Sequence, residues 1–323
     1  MVAIIGNVKN AGKTTVLNYC LQNLSQDING ITSIGLDGEA IDQVTYLPKP
    51  RIFVTTGSLV ATAKQCLAAC EAEYDLVKET KISTALGPII LIRITKPGNC
   101  LVAGPATIKE METIIRLMGD MKADRVLIDG AFSRQSPAVL ADATILCVGA
   151  DRHPDMATVI RDATLKIRQL SLAQAGKDMW NLSQEDTLVA LMKDGSRMVF
   201  PEKSTLLDPE TIIDKITPEM QALYCPRALG TRFLRQLIQA KKRDINLIIK
   251  SPVHLQLDDR MLNHMDLWAR QITVLHPIRV VAVCINPTSP KGYAFPKEEF
   301  KSAMQATIDI PVYNVLDEQG ANE

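Results

Sequence analysis

The first fifteen residues, MVAIIGNVKNAGKTT, restrict the fold more than any other stretch of the chain. Val2-Ala3-Ile4-Ile5 reads as a buried strand, Gly6 to Gly12 as a tight loop, and Lys13-Thr14-Thr15 as the start of a helix that runs on through VLNYCLQNL. This order of elements suits a polyphosphate. Backbone N–H groups must close around the phosphate oxygens, and side chains larger than glycine's would obstruct them. The candidate binding residues are therefore Lys9, Asn10, Ala11, Gly12, Lys13, Thr14 and Thr15. Lys13 would supply a point charge for the β/γ-phosphates, and the Thr14 hydroxyl a ligand for Mg²⁺.

The glycine spacing departs from the pattern G-x-x-x-x-G-K-[ST]. That pattern needs its first glycine at position 7, where the chain has Asn7, and the nearest glycine is Gly6. The variant loop with a second lysine five residues upstream is not matched either, because Lys9 stands four residues before Lys13. The competing reading is a glycine-containing turn with a solvated lysine. The setting favours the phosphate loop: apolar strand residues precede it and an amphipathic helix follows.

A chain of 323 residues is long enough for two domains or one large α/β unit. Lys plus Arg and Asp plus Glu balance at 36 each, so no global field draws the protein to nucleic acid or to an anionic membrane. Lys241, Lys242 and Arg243 read as a solvated helix end. The seven cysteines are scattered and mostly in apolar company, as in Cys147 and Cys284, which is how reduced thiols of a cytoplasmic protein look. Cys66 and Cys70 share the i, i+4 spacing of a helix face but lack the further ligands that zinc needs. No charged n-region, cleavage site or long apolar run marks a targeting segment, so the expected location is the cytoplasm.

A second strand is expected over 30–35. Asp37 and Glu39 follow it, where an acid could hold Mg²⁺ through water or orient a nucleophile; an ordinary acidic turn explains them equally. A short strand at 51–54 leads to Thr55-Thr56-Gly57-Ser58 and a helix carrying Leu59, Ala63, Leu67 and Cys70. A hairpin is expected from 89–94 and 100–103, then a helix over 107–122. Arg125 to Gly130 is an apolar strand ending in Asp129, which would carry a carboxylate to the Mg²⁺ side of the phosphates. A strand at 144–149 and a helix at 154–170 close the first block, with a boundary near 173–178.

Beyond it the pattern gives a β-hairpin at 187–200 on its Asp194-Gly195 turn. Helices at 208–223 and 227–242, a strand at 245–249, a helix at 258–271 and strands at 280–286 and 310–314 follow. Asn286 ends its strand, where an amide could read a purine edge; a rigid turn, Pro287 to Gly292, is the plainer reading. The alternation predicts an α/β fold with a doubly wound, mostly parallel sheet of P-loop NTPase type. The expected division is a nucleotide-binding domain over 1–172 and a C-terminal α/β region over 180–323, either an extension of the same sheet or a second domain.

VKNAGKTTVLN, IGLDGE with Asp42 after it, LPKPRI, and RVLIDGAFSR followed by ADATILCVGAD together resemble the small P-loop subunit of the reactivating system for adenosylcobalamin-dependent lysine 5,6-aminomutase and ornithine 4,5-aminomutase. The resemblance covers residues 1 to 155 and is loose thereafter. It implies loop residues at Lys9, Asn10, Gly12, Lys13 and Thr14, a magnesium-side acid at Asp129, a larger MutS-like ATPase subunit as partner, and use of ATP or GTP with Mg²⁺ to exchange damaged cobalamin in the mutase. Hydrolysis would rest on Lys13, Mg²⁺ and an acid such as Asp37. Two other readings stand beside it. One is a small-molecule ligase or kinase of the dethiobiotin-synthetase kind; the other is a scaffold that nucleotide stabilises without turnover.

Overall fold

The computed structural model describes residues 1–34, 51–130, 137–264 and 271–316. In chain order the first elements are β1 (Val2–Gly6), α1 (Lys13–Asn23), β2 (Asn29–Ser33), β3 (Ile52–Val54) and β4 (Leu59–Ala63). Next come β5 (Glu73–Thr84), β6 (Gly87–Lys96), β7 (Gly98–Cys100), α2 (Ile108–Asp120), β8 (Arg125–Asp129), α3 (Pro137–Leu140), β9 (Ala143–Gly149) and α4 (Met156–Leu170). The central part holds β10 (Val189–Met192), β11 (Arg197–Val199), α5 (Pro209–Asp214), β12 (Met220–Cys225), β13 (Leu229–Gly230), α6 (Thr231–Gln239), β14 (Asn246–Ile249), β15 (Leu255–Gln256), α7 (Asp259–Asn263) and β16 (Ile272–Val274). The last are β17 (Val280–Asn286), α8 (Lys297–Gln305) and β18 (Val312–Tyr313).

The chain forms two compact units, one of Met1–Ala163 with Val280–Glu323 and one of Thr164–Arg279. The first is built on a nine-stranded sheet in the order β18-β17-β9-β1-β8-β2-β4-β6-β5. From β18 to β4 neighbouring strands run parallel, and β6 and β5 add an antiparallel edge. This is a mixed, mostly parallel α/β sheet, compatible with double winding.

Period-two alternation explains why both faces are covered. Ile31, Val60, Ile90, Ile92 and Leu127 point to the side where Val16, Leu17 and Leu21 of α1 are buried. Leu59, Ala61, Ile89, Leu91, Val126 and Ile128 point to the other, where α2 buries Met111, Ile114 and Met118. A capping box fixes the start of α2. Glu110 N–H donates to Thr107 Oγ1 at 3.3 Å, and Thr107 N–H donates to Glu110 Oε2 at 3.1 Å.

The second unit has its own sheet, β11-β10-β12-β14-β16, with β12, β14 and β16 parallel and the β10–β11 hairpin antiparallel at one edge. Its core gathers Phe200, Leu223, Phe233, Leu234, Leu247 and Ile272. Among the described residues no helix is long and apolar enough to cross a membrane.

Several expected elements differ. The helix after Ser58 is instead β4 and a short 3-10 segment, Lys64–Ala69. Leu59 and Ala63 fit a helical spacing, but Leu59, Ala61 and Ala63 also share one face of a strand, and pairing on both sides with β2 and β6 decides the matter. Cys66 and Cys70 therefore do not share an α-helical face. The expected 89–94/100–103 hairpin is absent: β6 pairs with β5, and β7 with β3. The helix over 208–223 stops at Asp214, and β12 follows. Pro218 gives the reason, since its ring biases the preceding residue away from helix. The helix over 258–271 is described only as Asp259–Asn263.

The region expected as one block over 180–323 is divided. β17 pairs with β9 and β18 with β17, so the chain's last strands return to the first sheet.

Replacing Thr107 with alanine removes the side-chain half of the capping box. It should lower stability by about 1 kcal/mol, read as a shift of the urea unfolding midpoint with no change in slope.

Candidate functional site

The loop between β1 and α1 lies at the centre of the sheet, because β1 pairs with β8 on one side and β9 on the other. Loops at the carboxyl ends of parallel strands are where open α/β sheets gather ligands. Two residues of this loop have left-handed backbone, Asn10 at φ 60° and Gly12 at φ 90°. Glycine takes that conformation without strain, and asparagine tolerates it better than most residues. Gly12 caps α1, and Val16 N–H donates to Gly12 O at 3.0 Å to begin the helix. No side chain caps the N-terminus of α1, so its first N–H groups and the positive end of its dipole face the loop.

Lys13 folds back over the end of β1. A Cβ on Gly6 would sit 3.3 Å from its Cγ and Cδ, so the displaced glycine leaves the lysine stem its place. Thr14 and Thr15 are half-buried in the first turn of α1, Ala11 is buried and Lys9 is exposed. Asp129 ends β8, in register with Ile4 of β1 and Ser33 of β2. Burial holds the Cys147 thiol of β9 well above its ordinary value; Cys284 and Asp129 add to the rise, and the Lys13 ammonium opposes it. The charges of Lys13 and Asp129 thus act on the same buried atom.

Residues far along the chain brace the loop. Asn7 N–H donates to Cys147 O at 3.0 Å, and Gly149 N–H donates to Asn7 Oδ1 at 3.1 Å. Asn286 Nδ2 donates to Asn10 O at 2.8 Å, and its Oδ1 accepts from Thr288 N–H at 3.1 Å. Asp151 is nearly buried. Its Oδ2 accepts from Asn10 Nδ2 at 3.3 Å, while its Oδ1 accepts from Ser289 Oγ at 3.1 Å and pairs with Lys291 Nζ at 3.0 Å. Lys291 Nζ also reaches Asp151 O, and Tyr293 OH donates to Ala150 O at 2.8 Å. The ends of β9 and β17 therefore hold the loop by a connected polar network.

The structure brings Lys9 to Thr15, Asp129 and Asn286 to one end of the sheet. Asp37 and Glu39, expected as catalytic acids, lie outside the described residues, as do Asp42, LPKP and Ala131 to Arg134. Asp151, Ser289 and Lys291 were not expected at the site. The only signal in the sequence is that Asp151 and Ser289 follow apolar strands closely, which many surface turns do as well.

Among the described residues no three of His, Cys, Asp and Glu converge into a metal-holding group. With Asp151 taken up by Asn10, Ser289 and Lys291, the candidate donors are the Thr14 hydroxyl and the Asp129 carboxylate, the sparse kind that suits Mg²⁺ when phosphates and water complete its shell. A surface cleft in the second unit is lined by Thr231, Arg232, Arg235, Gln236, Gln239 and Asp258. Its arginines are already paired, Arg232 with Glu210 and Arg235 with Asp258. No protein-family model, curated protein or solved structure matches the chain.

A Cβ on Gly149 would lie 2.8 Å from the Cα of Ala11, a backbone atom that cannot swing aside. Gly149→Ala should therefore cost roughly 1–3 kcal/mol of stability, checked by urea unfolding. It should also raise amide exchange between Asn7 and Gly12.

Proposed function

We propose that the first unit is a P-loop module that binds ATP or GTP with Mg²⁺ through Lys9 to Thr15. The observation that carries this reading is the loop conformation: left-handed Asn10 and Gly12 lie directly before an eleven-residue helix that opens on Lys13. Alternating backbone handedness turns successive N–H groups into one concavity, which is the shape an anion requires. Lys13 would bind the β/γ-phosphates, Thr14 and Asp129 would hold the metal, and Asn286 would lie at the base side. Bound Mg²⁺ would neutralise charge on the phosphate oxygens.

The wider role follows the resemblance of residues 1 to 155: an NTPase subunit of a reactivating system for a cobalamin-dependent aminomutase, acting in the cytoplasm with a larger MutS-like ATPase. Nucleotide contacts that differ between two states of the chain would bias its affinity for the mutase. Asp37 or Glu39 would orient the attacking water. Hydrolysis should then change in rate when mutase or the partner ATPase is added.

The test is thermal unfolding with ATP, GTP, ADP and GDP, each with and without Mg²⁺. Ligand at about 100 times its Kd stabilises a fold by about 2.7 kcal/mol, a shift of a few degrees for a chain of this size. One purine should raise the midpoint in the native chain and leave Lys13→Ala unmoved. No shift with any nucleotide, or an equal shift in Lys13→Ala, would remove the site.

A further inference from the structure

Two of the seven cysteines meet away from the nucleotide loop. Cys70 follows the Lys64–Ala69 segment, Cys100 ends β7, and their Sγ atoms are 2.7 Å apart. That is roughly 0.7 Å beyond a covalent S–S bond of about 2.04 Å. Contacts of the neighbouring residues bring the two cysteines together. Glu71 N–H donates to Asn99 O at 2.8 Å, Asn99 Nδ2 donates to Glu71 Oε2 at 2.8 Å, and Arg51 pairs with the same carboxylate. A Cβ on Gly98 would lie 2.7 Å from Ala72 N, so glycine at 98 is what lets the two segments close.

The pair is also reachable. Cys100 is buried but Cys70 is only half-buried, so the approach of a small reagent is from the Cys70 side. By contrast, Cys147 and Cys284 stand side by side in register on β9 and β17, and both are buried within the sheet. Burial, and then the neighbouring Cys70, push the Cys100 thiol up. Cys70, the less buried of the two, is therefore the sulfur that meets a reagent first, and Cys100 the one that resolves.

We propose that Cys70 and Cys100 form a redox-closable dithiol that a low-molecular-weight disulfide, such as oxidised glutathione, converts to an intramolecular disulfide. The Cys70 thiolate attacks one sulfur of the reagent, breaking its S–S bond, releasing one thiol and forming a mixed disulfide. The Cys100 thiolate then attacks Cys70 Sγ and releases the second thiol. The two cysteines are oxidised by two electrons, the reagent is reduced to two thiols, and the two cysteine protons end on them.

The bond would close the chain around β5 and β6, and would fasten β7 to the turn at Glu71. β7 pairs with β3, and Asn18 of α1 grips β3 from both sides: Nδ2 donates to Arg51 O at 2.9 Å, and Oδ1 accepts from Phe53 N–H at 3.0 Å. The bridge therefore stiffens the ribbon against which the helix of the nucleotide loop rests. Its formation does not depend on the nucleotide reading.

The experiment is incubation of the full chain with oxidised glutathione, then maleimide labelling after unfolding in urea, which exposes buried thiols such as Cys100, and peptide mass spectrometry under non-reducing conditions. The native chain should lose two reactive thiols, yield a cross-linked Cys70–Cys100 peptide pair and keep no glutathione. Its unfolding midpoint should rise, and dithiothreitol should reverse the rise. Cys100→Ser should retain one glutathione on Cys70, and Gly98→Ala should cross-link more slowly. A native chain that keeps a glutathione adduct without the cross-link, or that leaves both thiols free to the maleimide, would overturn the proposal.

Discussion

Parallel pairing of β1 between β8 and β9 is the constraint from which the rest of the first unit follows. It sets the carboxyl ends of these strands side by side, so whatever follows β1 must turn within a space bounded by Asp129 and Gly149. The chain solves this with two left-handed residues, then a helix whose N-terminus opens on the same space. Bulk beyond hydrogen at 149 would meet Ala11 directly. Loop geometry and sheet order are thus one fact seen twice: the strands leave room for this loop and for little else.

That geometry is kept by polar contacts across great distances in sequence. Asn10 meets Asp151 across 141 residues, and Asn286 meets Asn10 across 276. Asp151, almost wholly buried, gathers an amide, a hydroxyl and an ammonium, so its charge is compensated from several sides. A network of this kind is costly when partly satisfied and stiff when complete. It would hold the loop ready for an anion before any anion arrives, and pre-organisation of that sort cuts the cost of binding.

What the sequence discloses is what is local. β1, the loop and α1 are legible because their chemistry lies within fifteen residues, and β8, β9 and β17 because each is an apolar run bounded by turns. The bracing residues are not legible, since nothing near Asp151 or Lys291 announces Asn10. β5 escapes notice for another reason: EYDLVKETKIST is a polar edge strand, and charge there guards an exposed edge instead of marking a core. β4 is ambiguous in sequence because one short apolar run satisfies both periods, and only pairing with β2 and β6 chooses between them. The first join of the inserted unit is legible near 173–178, where the pattern changes, but the return to the first sheet at Val280 is not, because βα alternation continues across it without a break. Asp37 and Glu39 are tied to the site only by their position in the sequence after β2.

The proposed nucleotide site requires that the backbone N–H groups between Asn7 and Thr15 enclose a nucleotide's phosphates. Amide hydrogen exchange on the full chain, with and without the Mg²⁺ complex of the better-binding purine triphosphate, tests this at the residues concerned. Protection should appear across Val8 to Thr15, extend to the end of β8, and vanish when the nucleoside replaces the triphosphate. Exchange unchanged in that stretch, or protection that the nucleoside alone reproduces, would contradict it.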